Sequence, residues 1–234
     1  MMGTVAENIE SIRRRIRAAA ERGGRDPEAV RLVAVSKYQP LEAIREAMAS
    51  GQVVFGENYL QEAEAKIAAL GPGLVWHCIG HLQSNKARTA AEIFDCVETI
   101  DRLKLAKALE SRLAELGKSM PVLVQVNVGG EAQKAGVAPE EAGRLCRDLQ
   151  QFPHLLLQGL MTMPPFVQEP EENRGCFRQL RLLGEALAAQ GLLGQHGPVQ
   201  LSMGMSGDFE VAIEEGATLV RVGTALFGER EQAV

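Results

Sequence analysis

Lys37 is the residue of this chain best placed for covalent chemistry. It closes the apolar run Leu32-Val33-Ala34-Val35-Ser36, and the chain turns at Pro40 just beyond it. In an extended strand alternate side chains share a face, so Lys37 looks the same way as Val33 and Val35. A lysine partly withdrawn from water favours its neutral amine, a nucleophile towards carbonyl carbon. The position equally suits a lysine that snorkels to solvent from a strand end. Lys37 taken alone leaves both readings open.

Arg221 is the second such residue. It interrupts Leu219, Val220 and Val222, where a charge is costly to bury without a partner. Arg221 and Gly223 are two apart and face one space. Gly223-Thr224-Ala225 can open a short helix whose N–H groups meet an anion, and Ser202 would add a hydroxyl from the preceding strand. The alternative pairs Arg221 with a carboxylate such as Glu57. Ser206 reads as a helix N-cap, followed by Asp208 and Glu210 in the first turn and Gly216 at the end. Those acids disfavour phosphate at that helix and leave the Gly223-Thr224 end as the better cradle.

Other groups carry less. His77 and His81 straddle a predicted strand end and Gly80, so they do not share a helical face, and packing or hydrogen bonding is the expected role rather than a metal. Cys78, Cys96, Cys146 and Cys176 form no C-x-x-C pair, which fits a reducing compartment. Arg13, Arg14, Arg15 and Arg17 alternate with Ile12 and Ile16 at helical spacing and read as a solvated helix face. No G-x-S-x-G, Walker or calcium loop occurs.

The elements that must position these residues alternate. Short β-rich runs are expected at 32–36, 53–56, 75–79, 96–100, 122–128, 155–160, 199–202 and 219–222. Helices are expected at 41–50, 58–70, 102–116, 139–151, 171–189 and 206–215, with a further N-terminal helix at 5–22 stopped by Gly23-Gly24. Apolar strands separated by helices imply a parallel sheet covered on its faces, and eight such units in 234 residues match a single (β/α)8 TIM barrel, class α/β, spanning 1–234. The rival is an open doubly wound sheet, but no G-x-G-x-x-G follows the first strand. In such a barrel, sites form at the C-terminal ends of the strands, where Lys37, Asn58, Gln125, Asn127 and Ser202 fall.

With 46% hydrophobic and 24% charged residues the chain can bury a full core, and a net charge of −5 gives no reason to expect nucleic acid or an anionic membrane as partner. The start lacks a basic n-region and an apolar h-region, and no apolar run could span a bilayer, so a cytoplasmic location is expected.

Five segments, taken together, resemble a known family: Val33-Ala34-Val35-Ser36-Lys37, Phe55-Gly56-Glu57-Asn58-Tyr59, the run from His77 to Lys86, Leu201-Ser202-Met203-Gly204-Met205-Ser206, and Arg221-Val222-Gly223-Thr224-Ala225-Leu226-Phe227-Gly228. In order and position they are similar to the pyridoxal-phosphate homeostasis protein family, over essentially the whole chain. The departures are Tyr38-Gln39 after the lysine and Gly207 after the seventh strand. The resemblance implies a fold like the N-terminal barrel of alanine racemase and a chain that binds pyridoxal 5′-phosphate (PLP) as an internal aldimine on Lys37. It implies that Ser202, Gly223 and Thr224 hold the phosphate, that Arg221 faces the pyridine nitrogen, that Asn58 lies near the ring, and that Met203 and Met205 pack around the phosphate loop.

An arginine beside the ring nitrogen disfavours the pyridinium and makes the ring a poorer electron sink. Racemases of this fold also use a second acid–base group from a separate β domain, which is not expected here, and Tyr38 and Tyr59 are the only tyrosines. The expected function is therefore PLP binding in vitamin B6 homeostasis, buffering or delivering the cofactor to PLP-dependent apo-enzymes, as a monomer. The alternatives are a racemase or lyase using Lys37 as base, and a cofactor-free Schiff-base lyase.

Overall fold

A strand covered on both faces needs apolar side chains at successive positions, and the eight predicted runs supply them. In the computed structural model, which describes residues 3–131 and 135–228, they form β1 (Arg31–Val35), β2 (Val54–Glu57), β3 (Val75–Cys78), β4 (Cys96–Ile100), β5 (Met120–Gln125), β6 (Leu155–Met161), β7 (Gln200–Ser202) and β8 (Leu219–Val222). All pair in parallel, in sequence order, and β8 returns to β1 with Val33 opposite Arg221, closing the barrel. The helices are α1 (Val5–Arg22), α2 (Leu41–Ala49), α3 (Leu60–Leu70), α4 (Ala87–Ile93), α5 (Leu103–Leu116), α6 (Pro139–Leu149), α7 (Arg174–Ala189), α8 (Phe209–Glu214) and α9 (Thr224–Phe227). None of the described helices is long and apolar enough to cross a membrane.

The N-terminal helix has a structural task. Among the described residues the helix that follows β8 is the four-residue α9, one turn, too little to cover the seam between β8 and β1. α1 fills that place. Thr4 and Glu7 start it with a reciprocal capping box. Its buried stripe of Ile9, Ile12, Ile16, Ala19 and Ala20 packs against α2, α8 and α9. The arginines expected on a solvated face take part as well. Arg13 donates to the Ser50 and Gly51 carbonyls, and Arg15 makes a two-pronged bond to Glu210 while stacking over Phe209.

Alternation sorts the strand residues into two populations. Leu32, Ala34, Phe55, Trp76, Cys78, Val97, Leu201, Val220 and Val222 face the helices in the main core. Val33, Leu123, Met161 and Leu219 form a small separate cluster that plugs the barrel interior. His77, Glu98, Ser202 and Arg221, also inward and buried, are polar, and they build the floor of the site.

Three local expectations are corrected. Asn58 does not begin α3; it sits in the strand-to-helix turn, with Tyr59 as N-cap. Ser206 does not cap α8, which starts three residues later after Asp208. α4 was not anticipated: its seven residues are too few for a visible apolar period.

Candidate functional site

A cavity of about 420 Å3 opens at the C-terminal ends of the strands. Lys37, Asn58, Arg221, Gly223 and Thr224 all line it, together with Val35, Ile79, Met163, Phe166, Asn173, Met205, Ser206 and Asp208. Ser202 and Met203 do not. Ser202 points into the barrel beneath the cavity, and Met203, the next residue, turns outward into the main core.

Lys37 and Tyr38 are the central residues of a tight turn closed by a 3.0 Å bond from the Gln39 N–H to the Ser36 carbonyl. Tyr38 has φ +62, the only positive value among the described non-glycine residues. Turns of this shape usually give that position to glycine. The turn directs Lys37, half-buried, towards the cavity, and the Tyr38 and Tyr59 rings pack 5.4 Å apart at the rim. Across the mouth, Asn58 leaves its Oδ1 buried without a hydrogen-bond partner among the described residues. The turn carrying Asn58 lies directly on Gly80, where an added Cβ would stand 2.5 Å from the Asn58 carbonyl oxygen. Only glycine fits there.

The floor is a buried polar belt. Arg221 is 3% exposed. Its Nη1 donates to Ser202 Oγ at 2.5 Å and its Nη2 to the Thr162 carbonyl at 2.7 Å, while its other N–H groups have no acceptor among the described residues. Ser202 Oγ in turn donates to Glu98 Oε2 at 2.5 Å, and the other carboxylate oxygen lies 2.6 Å from His77 Nδ1. Burial pushes the Glu98 carboxyl up. The hydrogen bond and charge of His77, the charge of Arg221 and the Ser202 hydroxyl outweigh that and hold it below its ordinary value. Burial also pulls Arg221 down, opposed by the charges of Glu98 and Asp208. From so high a starting value it stays a cation at neutral pH.

Glu98, rather than Glu57, is thus the carboxylate that answers Arg221. Glu57 follows Phe55 to the outer side of the sheet, where it meets Ser36 and Lys66. His81 lies 3.6 Å from Asp101, so the two histidines serve different carboxylates. Gln125 and Asn127 fasten the loop that follows them, donating to the Ala135 and Glu131 carbonyls.

The far wall is built by the segment after β7 and the start of α9. Asp208 Oδ1 accepts from the Met205 N–H and its Oδ2 from Asn173, which fixes the loop. That loop presents the Ser206 hydroxyl to the Gly223 and Ala225 N–H groups at 3.3 and 3.2 Å. Two N–H dipoles converging on one oxygen mark a place that favours negative charge. Ser206 is the wall residue that sequence reasoning assigned elsewhere. A serine ahead of Asp208 and Glu210 has the local signature of a helix cap, and no nearby residue advertises its true partners.

The sequence profile described as "Alanine racemase, N-terminal domain" matches residues 7–231. A curated relative, the pyridoxal phosphate homeostasis protein of Pseudomonas aeruginosa, is 50% identical over 232 residues, covering 98% of this chain and 97% of that one. The chain belongs to the pyridoxal phosphate homeostasis protein family. The family member of Escherichia coli K12 is 44% identical over 236 residues, with 98% of each chain covered. PipY of Synechococcus elongatus PCC7942, solved with PLP bound, is 40% identical, has a TM-score of 0.83, and is matched over 96% of this chain and 100% of its own. The barrel expected from the βα rhythm is therefore shared with PipY.

Proposed function

We propose that this protein binds pyridoxal 5′-phosphate and acts in its homeostasis, with the cofactor attached through Lys37. The observation that carries the reading is the convergence on one cavity of the half-buried Lys37, the unpartnered Asn58 Oδ1 and a buried arginine with uncommitted donors. These residues fit the group. When bound, PLP supplies an aldehyde that condenses with a primary amine with loss of water, and a ring that can draw electrons from an attached amine.

The chain's own residues set what that ring can do. Arg221 is a fixed cation on the cavity floor. It can donate to a ring nitrogen but opposes protonation there, which limits electron withdrawal and favours holding over turnover. Asn58 can contact ring substituents. Gly223, Thr224 and the Ser206 hydroxyl would hold the anionic phosphate, and Val35 and Ile79, which line the same cavity, would pack against a face of the aromatic ring. Ser202 acts on the cofactor through Arg221, and Met203 and Met205 support the loop that carries Ser206. The exposed Tyr38, Tyr59, Met163 and Phe166 at the rim suit transient contact with an apo-enzyme that receives the cofactor. The protein works as a monomer in the cytoplasm.

The test is direct. Purified protein incubated with PLP and reduced with borohydride should carry the adduct on Lys37 by peptide mapping, and Lys37→Ala should not. An adduct retained on Lys86 or Lys134 instead would overturn the assignment.

A further inference from the structure

The turn that carries Lys37 is strained, and something must hold it. A non-glycine residue in the left-handed region is held against a steric cost and persists only where its surroundings over-determine it. Hydrogen bonds link both neighbours of Lys37 to the side chain of Lys66, directly or through Glu62. Lys66 lies on α3, and its side chain is 7% exposed. Its ammonium donates to the Ser36 carbonyl at 2.6 Å, to Glu57 Oε1 at 2.8 Å and to Glu62 Oε1 at 2.6 Å. That uses all three of its N–H groups.

Each acceptor grips the turn. The Ser36 carbonyl is the one that closes it, accepting from Gln39. Glu57 Oε1 accepts from the Ser36 hydroxyl at 2.7 Å. Glu62 Oε1 accepts from the Tyr38 N–H at 2.5 Å. Both neighbours of Lys37 are therefore tied to one buried ammonium, directly or through one carboxylate.

The arrangement is costly. Glu57 Oε2 is buried with no hydrogen-bond partner among the described residues, and a buried ion pair is seldom retained for stability alone. We propose that Lys66, with Glu62 and Glu57, is the positioning device for Lys37: it locks the turn so that the Lys37 amine is delivered into the cavity at one fixed angle. This inference rests on the functional reading above. It adds that covalent capture, as distinct from binding of the ring and phosphate, depends on a lysine that never touches the ligand.

Two ligands separate the steps: PLP, and its 4′-deoxy analogue, which keeps ring and phosphate but has no aldehyde. In Lys66→Met/Glu57→Gln, which removes both members of the buried pair, the rate of borohydride-trapped adduct formation on Lys37 should fall about ten- to a hundredfold while affinity for the analogue stays within about twofold. Glu62→Ala, at a more exposed position, should slow the adduct in the same direction should the double variant fold poorly. In the ligand-free chain, both variants should lose amide-exchange protection in the peptide containing Tyr38 and Gln39.

Equal loss of PLP and analogue binding would make Lys66 a general structural residue and overturn the proposal. So would an unchanged adduct rate, whatever the exchange protection does. Wild-type protein that binds the analogue yet forms no adduct on Lys37 would instead refute the functional reading on which the proposal stands. That failure shows in the wild type alone, before any variant is compared.

Discussion

Replacing Glu98 with glutamine tests the polar belt beneath the cavity. The substitution preserves length and volume, so no void opens. It removes the negative charge that Arg221 meets through Ser202, and it turns an amide NH2 towards either His77 Nδ1 or Ser202 Oγ. Removing one member of a buried charge pair costs about 3–5 kcal/mol, because the other charge is left uncompensated. Glu98 and Arg221 meet through a hydroxyl rather than directly, so the lower end, about 3 kcal/mol, is expected. At about 2–4 °C per kcal/mol for a chain of this size, the melting midpoint should fall by about 6–12 °C at neutral pH.

The pH dependence fixes the sign. The folded Glu98 carboxyl lies below its ordinary value. A group depressed in the folded state contributes stability that is fully present above its unfolded value, about 4.3, and is lost as pH falls through the folded one. Thermal melts followed by circular dichroism should therefore show the gap between wild type and Glu98→Gln at full size near neutrality, narrowing on acidification. Glu98→Gln/Arg221→Met should recover part of the loss, since the stranded cation is gone. A variant that melts within about 1 °C of wild type, a gap that widens as pH falls, or strictly additive single and double variants would refute a coupled buried pair.

Three further outcomes follow. Gly80→Ala places a Cβ 2.5–2.9 Å from Asn58 backbone atoms that cannot swing aside; it should cost about 1–3 kcal/mol and weaken PLP binding, checked by melting and fluorescence titration. The Cys78 and Cys146 thiols are pushed up to about 12 by burial, and Cys96 well above its ordinary value for the same first reason; all three should resist alkylation in the native protein near neutral pH and label once it is unfolded, as read by mass spectrometry. Arg221→Glu should alter the absorption spectrum of the bound cofactor, because a carboxylate favours the protonated ring that the guanidinium opposes; an unchanged spectrum would show that Arg221 does not approach the nitrogen.

The sequence made the barrel legible because parallel strands buried on both faces leave near-continuous apolar runs. Lys37 and Arg221 were legible because they break such runs at the strand ends. The alternative that paired Arg221 with Glu57 fails because β2 runs on to Glu57, which follows Phe55 to the helix-facing side and cannot meet Arg221 inside the barrel. Ser206 and Lys66 were hidden for a different reason. Ser206 answers N–H groups 17 and 19 residues further on, and Lys66 on its helix looks like any surface lysine four residues after a glutamate. Parity along one strand can be read from a single segment. The pairing of a buried charge needs the partner strand or helix, and the chain gives no local sign of it. Lys37, Asn58, Arg221, Gly223 and Thr224, which line the cavity, were therefore visible in the sequence, whereas Ser206, Glu98 and Lys66 emerged only when the barrel closed.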